Sequence, residues 1–500
     1  MTGKSTATAA SINLLNTIIG AGMLAMPYAI KSDGIVLGIF VIIFSAFSSA
    51  FGLYLQGKCS KYVTNGDASF FALAQLTYPQ LSVLFDLAIA VKCFGVGISY
   101  LVVIGDLMPK IVESLANEDY LIQHEILLER NFWITLFMGL VVVPLSFLKK
   151  LDSLKYASMV ALSSVGYLVV LVFVHFWKND IVDKGPVRII EPYTATSALA
   201  SFPIFVFAYT CHQNMFSLAN ELEDKSNENI NRVISRSIGV AMLLYILVGI
   251  TGYLSFGDNV EPNVIVGYSH SISSTIGRIA IVILVMLSYP LQCHPARASI
   301  NHILHYFKHV KEISRRPSIA TIKNKKSKSS TLNSLLNGQP QNSSRSPSIS
   351  ISGAPRRVVS LNSPSFIQQT DESSSLLSDE EDIHIEEGGE YSTVGPLTGW
   401  KFVIITSLIL IFSYGIAISV TSLARVLAFV GSTGSTSISF ILPGIFGYQL
   451  IGSEYYNSHG YNDIPTKDRF IKYLALTLSF WGILVMVICL SATIFLGASH

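Results

Sequence analysis

The sequence predicts an all-α polytopic membrane protein of eleven transmembrane helices, the first and sixth broken near their middles. Three observations lead there. Half of the 500 residues are hydrophobic and 13% are charged, against roughly 25% charged in an ordinary soluble domain. The apolar residues gather in runs of about 17 to 25, long enough to cross a bilayer core as helix. Glycine, proline and hydroxyl clusters fall inside the first and sixth runs, where a helix opens only around protein or a cavity because hydrocarbon cannot satisfy its backbone.

The runs cover 6–30, 34–56, 82–108, 131–147, 155–177, 194–217, 233–255, 274–295, 403–422, 426–448 and 470–496. Spans 9 and 10 are parted only by Ser422 to Arg425, so ten or twelve spans are also compatible with the pattern. The chain divides into 1–297 with spans 1 to 8, a disordered loop over 298–399, and 400–500 with spans 9 to 11. Lysine and arginine in short connections favour the cytoplasm. A modest excess of them, including Lys58, Lys61, Lys149, Lys150, Lys225, Arg232, Lys467 and Arg469, puts the N-terminus on that side. Residues Met1 to Ala10 hold one lysine and no cleavage pattern, so the first run is expected to stay in the mature protein.

A formal net charge of +2 gives no basic patch for nucleic acid. Cys59, Cys93, Cys211, Cys293 and Cys489 lack metal-ligand spacing and read as buried thiols. No Walker-type loop, metal cluster or nucleophile elbow appears. The reading is therefore not an enzyme, with no catalytic residues, no metal and no bound cofactor, and an ion gradient as the source of any work.

The loop over 298–399 is rich in Ser, Asn, Lys and Arg, then in Asp and Glu, and buries too little apolar surface to fold alone. Arg315-Arg316-Pro317-Ser318 and Arg356-Arg357-Val358-Val359-Ser360 resemble phosphorylation sites, a pattern that also arises by chance. The glycosylation acceptor Asn342 would face the cytoplasm and stay unused. Glu372, Leu376 and Leu377 fit the acidic dileucine sorting pattern read by adaptor complexes, or form a chance Leu-Leu pair in an acidic tract.

Span 1 carries Asn16-Thr17-Ile18-Ile19-Gly20-Ala21-Gly22-Met23-Leu24-Ala25-Met26-Pro27. A break there frees amides that can hold a carboxylate, as helix N-termini do; close packing through small residues is the competing reading. Span 6 carries Pro203 followed by Phe207, Ala208, Tyr209, Thr210, Cys211 and His212. Interrupted helices in corresponding positions of two halves point to a transporter site at a repeat interface. The candidate substrate site is thus Ile19, Gly20, Ala21 and Gly22 facing Phe207, Ala208, Tyr209 and Thr210.

Lys92 lies deep in span 3, where a charge is expensive and commonly functional. It reads as a substrate counter-charge or a coupling site, with a salt bridge to Asp86 as the structural alternative. His212, near the break of span 6, is a second coupling candidate, while His294 at the end of span 8 reads as interfacial. Gly431 to Ser437 in span 10 read as a packed hydroxyl face or a gate.

These residues resemble the amino acid/auxin permease family of the amino acid-polyamine-organocation superfamily, and within it the fungal vacuolar exporters, closest to those releasing acidic amino acids. The likeness rests on Gly20 to Pro27, Val91 to Gly97, Phe205 to His212, Pro290 to Pro295 and Gly434 to Gly444. It implies a five-plus-five inverted repeat of LeuT-like form plus one helix, and proton-coupled movement of amino acids, aspartate and glutamate favoured, from vacuole to cytosol. The same resemblance matches Asn16 to an asparagine that helps bind sodium in the animal sodium-coupled neutral carriers; with Ser288 it makes a candidate ion site, or it caps the broken helix. A receptor that binds amino acids without flux, signalling through the long loop, is the rival from another class.

Overall fold

A computed structural model describes residues 5–63, 68–148, 157–315, 397, 399–458 and 464–496. Side-chain caps start several of its helices. Thr6 accepts from the Ala9 amide at 3.3 Å at the head of α1 (Ala7–Ile18). Thr194 and Ser197 cap one another before α10, and Ser226 accepts from Asn229 before α12, so each satisfies amides that have no partner in a first helical turn.

After α1 the chain runs through α2 (Ala21–Asp33), α3 (Ile35–Cys59), α4 (Phe70–Thr77), α5 (Ser82–Leu115) and α6 (Glu118–Gln123). It continues with α7 (Arg130–Phe137), α8 (Val143–Ser146), α9 (Ala157–Lys178), α10 (Ala195–Ala208), α11 (Met215–Glu221), α12 (Asn227–Phe256) and α13 (Ile272–Arg315). The last third holds α14 (Gly399–Ser419), α15 (Leu423–Val430), α16 (Leu442–Leu450), α17 (Ser453–Ser458) and α18 (Thr466–Leu496). The regular structure among the described residues is helical, apart from a single parallel bridge between Ser5 and Leu222.

Among the described residues eight helices are long and apolar enough to cross a membrane, and α1 with α2 makes a ninth as a pair bent by 54°. The two other apolar runs are also helical: Arg130–Ser146 is shorter, and span 6 is divided into α10 and α11. Two spans form the centre, with 78% of the apolar window buried in both Pro79–Leu115 and Leu423–Tyr455, against 33% in Thr466–Phe495. Peripheral helices turn large apolar side chains outward, among them Phe40, Phe47, Trp177, Leu243, Phe412 and Phe480. An apolar belt of that extent suits lipid, not water.

The structure corrects the expected boundary at 297. Helix α13 continues to Arg315, with Ile300, Ile303, Leu304 and Phe307 recurring at helical spacing in the sequence beneath the charged composition. The rest of the segment expected to be disordered, with Ser318, Asn342, Ser360, Glu372, Leu376 and Leu377, lies outside the described residues. The five cysteines are buried and free, as expected.

Span 10 is wound in two π-helical turns, Gly431–Ser435 and Ser437–Ile441, between α15 and α16. Thr436 donates to the Gly431 carbonyl at 2.6 Å and Ser437 to that of Thr433 at 2.8 Å. Ser432, Ser435, Thr436 and Ser439 are fully buried. Ser432 and Thr436 donate to main-chain carbonyls, as hydroxyls beside widened turns can, whereas Ser439 meets Thr210 and His212 and the Ser435 hydroxyl is buried without a partner.

Candidate functional site

Helix α1 stops at Ile18, and after Ile19 and Gly20 the chain restarts as α2 along a different axis. The amides of Ala21 and Gly22 open the new helix, where no earlier turn supplies an acceptor. Helix α10 stops at Ala208; Tyr209, Thr210 and Cys211 leave the helical path, and a 3₁₀ turn over His212–Asn214 leads into α11. The hydroxyl of Thr210 donates to the Val206 carbonyl at 2.7 Å, closing a loose end of α10.

The two breaks touch. A Cβ on Gly22 would lie 2.8 Å from the Ala208 Cα, so only glycine allows this approach. Beside them the hydroxyl of Tyr245, on α12, lies 2.8 Å from the carbonyl oxygens of both Ile18 and Ala208. Those carbonyls end α1 and α10, and one phenol proton serves the two helix ends. The Tyr209 ring stands edge-on to Tyr245 at 5.1 Å, and its own hydroxyl is buried without a hydrogen-bond partner. The hydroxyl of Tyr100, on α5, comes within 3.6 Å of where a Cβ on Gly20 would lie.

Lys92 is buried against the span 10 turns, its backbone nitrogen 2.7 Å from a Cβ built on Gly434. It forms no ion pair among the described residues. Asp86 does not serve it: that carboxylate meets His302 at 3.1 Å, on the part of α13 beyond the expected boundary.

His212 bridges three elements. Its Nε2 lies 3.1 Å from the Ser49 carbonyl on α3, and its Nδ1 lies 3.1 Å from the Ser439 hydroxyl in span 10. A carbonyl only accepts, so Nε2 carries the hydrogen, and Nδ1 accepts from Ser439 in the neutral ring. Ser439 also reaches Thr210 at 3.4 Å, so a protonated ring can donate to Ser439 while Ser439 turns to Thr210. The network is complete in both states.

Asn16 and Ser288 are half-buried, and neither side chain makes a hydrogen bond among the described residues. His294 is exposed on α13. Tyr245, Tyr100 and Ser439 belong to the site yet escape a search for breakers and charges, since a tyrosine or serine in an apolar run looks like any other.

Two cavities flank the breaks. One of about 520 Å³ is lined by Tyr28, Lys31, Ser197, Ser201, Ile204 and Arg425 and reaches to within one helical turn of Ala208. The other, about 130 Å³, lies between α1 and α11 beside Asn13, Thr17 and Asn214. That end is fastened. Ser5 donates to the Glu221 carbonyl and accepts from the Glu223 amide, both at 3.1 Å, while Asn214 donates to Thr17 at 3.1 Å and Ser237 to the Ser11 carbonyl at 2.9 Å.

Loop residues cover the wider end. The Ile35 amide donates to the Arg188 carbonyl at 3.2 Å, and the Tyr193 amide to that of Ser32 at 3.0 Å. Arg188 pairs with Asp258 at 2.9 Å, and this hydrogen bond holds its guanidinium pKa above the usual value.

The profile of a family described as transmembrane amino acid transporter protein matches residues 3–488. The chain is 44% identical over 488 residues to vacuolar amino acid transporter 6 of Saccharomyces cerevisiae, covering 97% of each. It is 30% identical over 315 residues to sodium-coupled neutral amino acid transporter 7 of Danio rerio, covering 61% of this chain and 66% of that one. A crystal structure of MhsT in complex with L-phenylalanine superposes with a TM-score of 0.52 at 11% identity, covering 97% of this chain and 98% of that one, a likeness of fold alone. Neither the profile nor these relatives describe an enzyme. The chain belongs to the transmembrane amino acid transporter family.

Proposed function

We propose that this protein is a proton-coupled secondary transporter that exports amino acids, aspartate and glutamate favoured, from the vacuole lumen to the cytosol. The observation that carries the reading is the meeting of two broken helices at Gly22 and Ala208, with helix-end backbone and the partnerless Tyr209 hydroxyl around it. A zwitterion suits such a place: amides at the head of α2 favour its carboxylate, and carbonyls ending α1 and α10 favour its ammonium.

The vacuolar location is taken from the relative of matching length, and the acidic dileucine at Glu372, Leu376 and Leu377 would supply the address through adaptor complexes. Eleven spans in a five-plus-five inverted repeat, with the N-terminus in the cytosol, put the broken helices first in each half. The wider cavity then opens to the lumen and the fastened end faces the cytosol.

Lys92 is the counter-charge for a side-chain carboxylate, since Asp86 is engaged elsewhere. His212 is a coupling group, its network being complete with either protonation state. Each pH unit contributes about 1.4 kcal/mol per proton, roughly tenfold in substrate ratio. A sodium-driven neutral carrier is the second reading, favoured by the half-buried, unbonded Asn16 and Ser288.

Uptake of labelled glutamate and alanine into proteoliposomes tests both, with a proton or a sodium gradient imposed alone. Accumulation driven by protons supports the proposal; accumulation driven only by sodium overturns it, and binding without accumulation indicates a receptor. Lys92→Met should lose glutamate transport at least tenfold while alanine transport persists. Equal loss of both would make Lys92 structural.

A further inference from the structure

Asp33 ends α2 on the side of the wider cavity, and 1% of it reaches solvent. Its Oδ1 lies 3.0 Å from the hydroxyl of Ser201 on α10, and its Oδ2 is buried without a hydrogen-bond partner. The same Ser201 hydroxyl lies 3.0 Å from the Ala198 carbonyl. A hydroxyl has one proton to give, and the carbonyl has none. When Ser201 donates to Ala198, its contact with Asp33 is a hydrogen bond only if the carboxyl brings the proton. When Ser201 turns to Asp33 instead, the carboxylate is left with one donor for two oxygens in a buried place, a costly arrangement.

The charged groups around this end are otherwise engaged. On α2 itself Lys31 lies over the Tyr28 ring at 5.3 Å. From the loop before α10, Arg188 pairs with Asp258, and the Glu191 backbone abuts Gly34. From α12 the Tyr253 hydroxyl donates to Asp258 at 3.0 Å. Glu261 acts on Lys31 and Tyr28, and Arg425 of α15 faces Tyr28. On α5, Asp106 pairs with Arg130 at 3.2 Å, and α3 holds no charged residue between Ile35 and Gly57. Among the described residues Asp33 forms no ion pair.

Ser32 and Ser201, next to the carboxyl, both line the cavity of about 520 Å³. We propose that Asp33 and Ser201 form a proton-binding site in the wall of this cavity, loaded from the compartment onto which the cavity opens. Loading takes a proton from hydronium to the Asp33 carboxylate, releases water, and turns the Ser201 hydroxyl to Ala198; unloading reverses each move. Because the site joins the outer halves of the two broken helices, its occupancy is sensed by both. The inference rests on the proton-coupled reading above and names where the proton is taken up.

The test uses the full chain in proteoliposomes with a labelled mixture of the twenty amino acids. Under a two-unit pH gradient, Asp33→Asn should lose at least tenfold in accumulation, and its exchange at equal pH on both sides should vary less with pH than that of the natural protein, the remainder belonging to His212. Accumulation equal to that of the natural protein overturns the site. Should Asp33→Asn fail to fold, Ser201→Ala serves: its pH of half-maximal accumulation should move by about one unit, roughly a tenfold change in proton affinity, and an unmoved profile is fatal. Infrared difference spectra against pH add a readout free of transport. A protonated-carboxyl band lost in Asp33→Asn but present in the natural protein supports the site even if sodium alone drives accumulation, in which case the coupling reading fails and the site stands.

Discussion

At the first break Ile19 and Gly20 part α1 from α2, and what faces α10 is almost wholly backbone; at the second, Tyr209, Thr210 and Cys211 part α10 from the turn at His212, and each residue brings a side chain. At the first break Gly22 lies against the Ala208 Cα, whereas Gly20 has only the Tyr100 hydroxyl near it, at contact distance. The second has a buried hydroxyl without a partner and an imidazole tied to α3 and span 10. The difference separates two tasks. Backbone at the first break can grip what all amino acids share, and side chains at the second can distinguish one substrate or proton state from another.

The largest expected effect comes from Gly22→Val, which drives methyl groups into the Ala208 backbone. Overpacking of this kind costs about 1–3 kcal/mol, and transport of every amino acid should vanish together. Gly22→Ala should be milder, and adding Ala208→Gly should restore part of its loss; an additive double variant would deny that the breaks meet. Next is Tyr245→Phe, which leaves the Ile18 and Ala208 carbonyls without their shared donor. A buried acceptor left unsatisfied costs about 1–3 kcal/mol, so uptake should fall roughly tenfold for all substrates, and a rate within twofold of the natural protein would show that the hydroxyl does not join the helix ends.

Thr210→Val, on the side-chain break, should act less and unevenly. Loss of its bond to the Val206 carbonyl and of the longer one it accepts from Ser439, each about 0.5–1.5 kcal/mol, predicts changes of a few fold in KM that differ between glutamate and alanine; a uniform change would place its task with the first break. The smallest effect is expected far from both. Asp224, before α12, accepts from the Ser226 amide and hydroxyl, and these bonds hold its pKa below the usual carboxylate value. A lowered folded pKa gives stability that is present above the unfolded value of about 3.9 and is lost as pH falls through the folded one. Asp224→Asn should therefore lower the melting temperature slightly at pH 7 and not at pH 3, with transport selectivity unchanged.

The first break was legible because Gly20 and Gly22 are poor helix formers where lipid forbids a loose backbone; at the second, Pro203 pointed to the right span, but α10 runs through it and ends at Ala208. Gly22 joins two readings that the sequence kept apart, as it both opens α2 and packs against Ala208. Lys92 stood out as the one basic residue deep in a span, and the Asp86 alternative fell to a partner, His302, in a segment whose charge masked its helical spacing. Nothing local marked Tyr245, whose importance comes from two carbonyls separated from it by 227 and 37 residues. The π-helical turns were equally hidden, and so was the close approach of Gly431 to Pro203 and of Gly434 to Lys92, which joins residues far apart in the chain.

The clasp at Ser5 has a kinetic meaning. Two main-chain bonds to the 221–223 strip, with the Asn214 and Ser237 links beside them, make four small ties at about 1 kcal/mol each. Undone one at a time they release like a zip, and undone together they form a barrier of about 4 kcal/mol. The order of release, more than the sum, decides how often this mouth opens per second.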